Sequence, residues 1–175
     1  MIKTILTYPD PILRHKAELV TEFNEELKEI INDMAETMFD APGAGLAAPQ
    51  IGISKQIAVI NMSTKEDDAD KRILTLINPV ILCGEGSQVD EEGCLSVRDF
   101  SAKVKRFMKI QVKALTPEGK EVQFDAEEFF ARVIQHELDH LAGKLYIDLI
   151  SSLKRNLYKK KLKKILENET EKTSE

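Results

Sequence analysis

The chain contains three histidines in 175 residues, and two of them fall within five positions, in His136-Glu137-Leu138-Asp139-His140. On a helix, residues i and i+4 share a face, so both imidazoles can bind one ion. Glu137 lies about 100° round the helix axis from His136. It is poorly placed to join the same ligand shell, but it can reach water activated by the ion and serve as general base. The competing reading is a helix whose two histidines are ordinary surface or core residues.

Two histidines do not complete a site. A metzincin-like third histidine fails, because Tyr146 occupies the last position of that extended pattern. A thermolysin-like glutamate would have to come from Glu167, Glu169, Glu171 or Glu175, all in a polar tail. The better candidate lies upstream, at Cys94 in Glu91-Glu92-Gly93-Cys94-Leu95-Ser96. A thiolate is a strong ligand for a borderline or soft metal, and Gly93 permits close backbone approach. A cysteine after a glycine is also often just a small buried residue. The other thiol, Cys83, follows Val80-Ile81-Leu82 and reads as core. One cysteine and two histidines leave a fourth position open, the pattern of a catalytic rather than a structural site. A divalent ion there would polarise a carbonyl and lower the pKa of water.

Elements that position these residues are legible from patterning. Residues 1–17 read as an extended arm, since Tyr8-Pro9-Asp10-Pro11 disfavours helix. Leu27, Ile30, Ile31, Met34 and Met38 form one face of a helix over about 24–38. Residues 40–52, DAPGAGLAAPQIG, are a loop by composition. Short β-branched runs at 56–60 and 73–77 flank a polar loop over 63–72. Residues 108–115 alternate, and 121–124 return as a hairpin partner after Thr116-Pro117-Glu118-Gly119. A helix over about 126–141 carries the histidines, with Asp125 as N-cap, Glu128 completing a capping box, and Gly143 marking the end. A last helix, 152–166, carries Leu153, Leu157, Leu162 and Ile165 on one stripe, before a polar tail at 167–175 expected to fray. The expectation is an α+β fold. Mainly antiparallel strands surround a central histidine-bearing helix, with further helices near either end, in one catalytic domain over 1–166.

Composition narrows the classes. Apolar residues make up 42%, enough for a core. No stretch approaches the roughly 18 apolar residues of a membrane helix, and no signal-like segment opens the chain. Two cysteines make no disulfide framework, so a cytoplasmic location is expected. The net charge of −5 argues against DNA as a partner of the whole chain.

Three separated segments resemble the peptide deformylase family, in the family's order. Gly43-Ala44-Gly45-Leu46-Ala47-Ala48-Pro49-Gln50 is similar to its G-x-G-L-A-A-x-Q. Glu92-Gly93-Cys94-Leu95-Ser96 resembles E-G-C-L-S, and Gln135-His136-Glu137-Leu138-Asp139-His140-Leu141 resembles Q-H-E-x-D-H-L. The opening Pro9-Asp10-Pro11-Ile12-Leu13-Arg14 is also similar. The likeness spans residues 1 to about 150. It implies removal of the formyl group from the initiator methionine of nascent polypeptides, releasing formate.

By position, it makes Cys94, His136 and His140 the ligands and Glu137 the base and then the acid. Gln50 and the Leu95 backbone N–H become donors to the developing oxyanion. On its own Gln50 would pass for a solvated loop amide. The peptide is expected to bind as an added strand along Ala44 and Gly45, near Gly93. Phe129 and Val133 are candidate walls for the methionine side chain, or ordinary core. The implied ion is Fe(2+), with Zn(2+), Ni(2+) or Co(2+) as alternatives, although the usual affinity order favours zinc over iron. Where the family usually has Val-Pro-Gly after the serine, this chain has Val97-Arg98-Asp99-Phe100. A differently shaped loop is expected there, with Arg98 meeting the peptide's far end or, the favoured reading, simply solvated.

Residues 154–164, KRNLYKKKLKK, hold seven Lys and Arg and no acid. The remaining 164 residues carry 18 basic and 30 acidic side chains, a net −12. This run reads as a solvated helix face or as a dock for the ribosome, as in some relatives of the resembled family. A zincin-like peptidase and a non-catalytic metal or nascent-chain binding module are the other functional classes weighed. The Glu92–Ser96 segment counts against the first, and Glu137 with Gln50 against the second.

Overall fold

The computed structural model describes residues 1–63 and 72–172. The first helix, α1, spans Glu25–Asp40, and the Asn24 side chain accepts from the Leu27 N–H at 3.0 Å to cap it. Five strands form one antiparallel sheet: β1 (Gly45–Ala47), β2 (Ile57–Asn61), β3 (Ile73–Glu85), β6 (Lys109–Leu115) and β7 (Glu121–Glu127), in the order β1-β2-β3-β6-β7. Among the described residues the remaining strands, β4 (Gln88–Cys94) and β5 (Val97–Arg106), pair only with each other. The histidine-bearing helix, α2, spans Glu128–Leu141, and the last, α3, spans Ser152–Lys172.

Side-chain alternation decides the layering. On β2, Ala58 and Ile60 pack with Ala131 and Ile134 of α2, whereas Ile57 and Val59 pack with Leu27, Ile31 and Met34 of α1. The strand is buried on both faces, which is why it reads as a continuous apolar run. A third cluster joins Val97, Ala102 and Val104 of β5 to Tyr146, Ile147, Tyr158 and Leu162.

Several expectations shift. Asp125 does not cap α2: it lies in β7 opposite Gln111, and the ladder with β6 continues to the Lys109–Glu127 pair. Sheet pairing therefore outbids the capping box, and α2 begins at Glu128 with no side-chain cap. Pro11–Arg14 forms a 3-10 turn inside the arm, since proline is tolerated in a first turn and Asp10 accepts from the Ile12 N–H at 3.0 Å. Cys83 is exposed, not core. Beyond Ile77, β3 outruns β2 and pairs with β6 alone, with register shifts on either side of Val80 and Ile81. Of the polar loop expected over 63–72, residues 64–71 lie outside the described residues, as do residues 173–175 of the expected tail.

The helical part of the expected tail is longer than the pattern suggested. Glu169 pairs with Arg98 and Thr170 donates to the Leu166 carbonyl at 2.8 Å, carrying α3 through residue 172. The packing stripe also differs: Tyr158 and Leu162 are buried, while Leu153 and Leu157 are 70% and 56% exposed. Tyr158, Leu162 and Leu166 are spaced by four and so share a face, and that face reaches β5. At the end of α2, Gly143 has φ +72 and a Cβ there would sit 2.5 Å from the Arg14 carbonyl, so only glycine fits.

Candidate metal centre and active site

Strand β4 ends at Cys94, which pairs with Val97 across a two-residue turn. This turn brings the thiol against α2, where His136 and His140 present their rings 5.0 Å apart. Donor atoms of Cys94, His136 and His140 all lie within 4.8 Å of one another. Cys94 Sγ is 3.3 Å from His140 Nε2. His136 engages Glu92 through Nδ1 at 2.8 Å, so Nε2 is its remaining donor. The His140 imidazole is buried, and burial together with the nearby His136 and Arg106 charges holds its pKa well below the ordinary value.

Behind the histidines lies a buried charge network. Glu92 accepts from Arg106 Nε and Nη2, each at 2.9 Å, and from Arg132 Nη1 at 2.5 Å. Arg106 also reaches Asp139 at 2.5 Å. Burial alone would raise the Glu92 carboxyl, but hydrogen bonds from Arg106 and His136 overcome it and hold the pKa at about 2. Two arginines face two carboxylates, so the network balances, and the permanently ionised Glu92 orients the His136 ring.

Glu137 is 4% exposed, and its Oε2 makes no hydrogen bond. Burial pushes its pKa up to about 7. Gly45 lies against this carboxylate: a Cβ at that position would fall 2.6 Å from Glu137 Oε1. Gln50 is buried rather than solvated. Its Oε1 accepts from the Ala47 N–H at 2.9 Å, and its Nε2 donates to Ser96 Oγ at 3.1 Å and lies 3.7 Å from Cys94 Sγ.

A cleft of about 550 Å³ opens over these groups, lined by Ala44, Gly45, Gln50, Gly93, Cys94, Leu95, Phe129, Val133, His136 and Glu137. His140 alone of the candidate residues is not on its wall. Phe129 is 67% exposed and so is a rim residue, not core, while Val133 both lines the cleft and belongs to the α2 core cluster. Among the described residues β1 pairs only with β2, which leaves its other edge without a strand there. Arg98 is half-buried and does not line the cleft: it donates to Thr7 Oγ1 at 3.1 and 2.9 Å and pairs with Glu169.

A sequence model described as polypeptide deformylase matches residues 2–156. The chain belongs to the peptide deformylase family. It is 50% identical over 165 residues to the peptide deformylase of Acidobacterium capsulatum, covering 94% of this chain and 96% of the other. With that of Desulfotalea psychrophila it shares 52% over 163 residues, 93% and 96% of the two chains. The crystal structure of a peptide deformylase from Legionella pneumophila superposes with a TM-score of 0.88 at 42% identity, over 97% of this chain and 98% of that one. Peptide deformylases are metalloenzymes that remove the N-formyl group from nascent polypeptides, and the α+β fold is theirs. Among the described residues no helix is long and apolar enough to cross a membrane.

The network residues Arg106 and Arg132 had no sequence signal, since a buried pair is made by tertiary contact rather than spacing. Glu92, Ser96 and Asp139 had one, their places in the Glu92–Ser96 and Gln135–Leu141 segments.

Proposed function

We propose that Cys94, His136 and His140 hold one divalent ion, Fe(2+) in the cell with Zn(2+), Ni(2+) or Co(2+) as substitutes, and that this centre deformylates N-formylmethionyl peptides. The donor set fits such an ion: one cysteine sulfur and two imidazoles, converging within 4.8 Å. When bound, the ion supplies Lewis acidity, polarising a carbonyl and acidifying water.

The observation that carries the reading is the buried Glu137 carboxylate, with Oε2 unpartnered on the wall of the same cleft. Glu137 takes a proton from the attacking water and returns it to the methionine nitrogen as the formyl C–N bond breaks, leaving formate and a free amine. The Gln50 amide, locked by Ala47 and Ser96, and the Leu95 N–H donate to the oxygen as charge develops. The peptide adds as a strand to the open edge of β1 at Ala44 and Gly45, with Gly93 opposite. Its methionine side chain lies between Phe129 and Val133.

Residues 1–166 act as one cytoplasmic catalytic unit, with no membrane or DNA partner. The basic run at 154–164 docks on the ribosome, supported by the exposure of its lysines. For the chemistry, Glu137→Gln should retain metal and lose roughly 10²–10⁴ in formate release; an unchanged rate per bound metal overturns the assignment. For docking, the combined K154E, K160E and K164E variant should lose salt-sensitive co-sedimentation with ribosomes, and unaltered pelleting overturns it.

A further inference from the structure

One face of α3 ends on the back of the cleft wall. The Tyr158 ring is fully buried, 4.8 Å between centroids from Phe100 and 6.2 Å from Tyr8. Phe100 itself lines the cleft. Its carbonyl accepts from the Tyr146 hydroxyl at 2.7 Å, and the Tyr146 ring stacks on His136 at 6.1 Å and 26°. A continuous run of rings thus links α3 to the metal-site helix.

The same α3 grips this segment at two further points. Lys161 donates to the Asp99 carbonyl, and Glu169 pairs with Arg98. All three anchors meet the stretch Arg98–Phe100 where the chain departs from the family's usual Val-Pro-Gly. The Tyr158 hydroxyl is buried and meets only a weak contact from the Arg98 backbone N–H, so the ring is the larger part of what this residue contributes. Close packing makes that ring the floor on which Phe100 rests.

We infer that Tyr158 is a positioning residue for peptide binding, its ring holding Phe100 in the cleft wall. Helix α3 is then part of the peptide-binding apparatus, although Tyr158 lies beyond residue 156, where the family match ends. The inference rests on the proposed reading that the cleft holds the peptide. Phe100 contacts ground state and transition state alike, so losing its position weakens binding without slowing the chemical step.

The test is steady-state kinetics of metal-loaded, full-length enzyme on an N-formylmethionyl tripeptide. Tyr158→Ala should raise KM about fivefold with kcat and metal content within about twofold. Tyr158→Leu, which keeps an apolar plug in the core, should show the same split at smaller size if the alanine variant does not fold. Tyr158→Phe should restore the wild-type KM. Phe100→Ala should match Tyr158→Ala, and the double variant should be no worse than either single change, because both act at one contact. Additive effects overturn the inference, as does a normal KM in both Tyr158→Ala and Tyr158→Leu beside a raised one in Phe100→Ala. A normal KM in Phe100→Ala overturns it too, together with the reading of the cleft as the peptide site.

Discussion

Arg132 and Glu137 on α2 are 3% and 4% exposed, whereas six of the seven Lys and Arg at 154–164 on α3 face solvent and Arg155 is half-buried. Both helices are charged, but only α2 takes charge out of water. Arg132 there needs a fixed partner, and Arg132, Glu92, Arg106 and Asp139 supply one another, whereas burial pushes the pKa of the unpartnered Glu137 up to about 7. On α3, Arg155, Lys161 and Glu169 make individual contacts, but the other lysines of the basic run keep their hydration and are screened by salt, so those act collectively or not at all. Single residues therefore matter on one helix, and for most of the basic run on the other only the sum does.

The largest effect should come from breaking the buried side. Glu92→Ala strands Arg132, leaves Arg106 with Asp139 alone, and should destabilise the fold by about 3–5 kcal/mol, read by denaturant unfolding at fixed metal loading. Its His136 contact also vanishes, so metal affinity should fall roughly 10–100-fold. Stability within experimental error of wild type would erase the contrast between the helices. Next, Gly45→Ala forces the Glu137 carboxylate aside, since the new methyl would lie 2.6 Å from Oε1. Misplacement on that scale should lower kcat about 100-fold with metal retained.

A half-exposed pair should fall between the extremes. Arg14 meets Asp148 at 2.5 and 3.1 Å. Burial raises the Asp148 carboxyl, but the Arg14 hydrogen bond outweighs it and holds the pKa below the ordinary value. The stabilisation is thus complete above the ordinary aspartate pKa and disappears as pH falls through the lower folded value. Asp148→Asn should cost less than about 1 kcal/mol near neutrality, and the gap to wild type in urea midpoint should close in strong acid. Smallest of all, Lys160→Ala on α3 should change stability by no more than about 0.5 kcal/mol. A larger drop in thermal midpoint would show that α3 charges work singly.

Legibility followed the same divide. The ligand set was readable because His136, Glu137 and His140 are local on a helix and Cys94 sits in a dense short segment. Helix α1 and strands β2 and β6 were readable because burial on a regular element imposes a period. The start of α2 was misread, since the capping signal at Asp125 is local while the β6–β7 ladder that overrides it is not. Cys83 was misread because an apolar run implies burial only where neighbouring strands cover it. The apolar stripe of α3 was ambiguous for a similar reason: both Leu153–Leu157 and Tyr158–Leu162 have helical spacing, and only contact with β5 selects the second.

By itself, then, the sequence determined the donor types, the helical spacing of two of them, the α+β class and the family resemblance, all properties of near neighbours along the chain. Tertiary structure alone decided that Gln50 is buried, that Gly45 must be glycine to admit Glu137, and that Arg98 ties the arm to α3. It also assembled Glu92, Arg106, Arg132 and Asp139 into one neutral cluster. These are contacts across 14 to 92 positions of chain, and a burial or pairing energy exists only once folding has brought the two surfaces together.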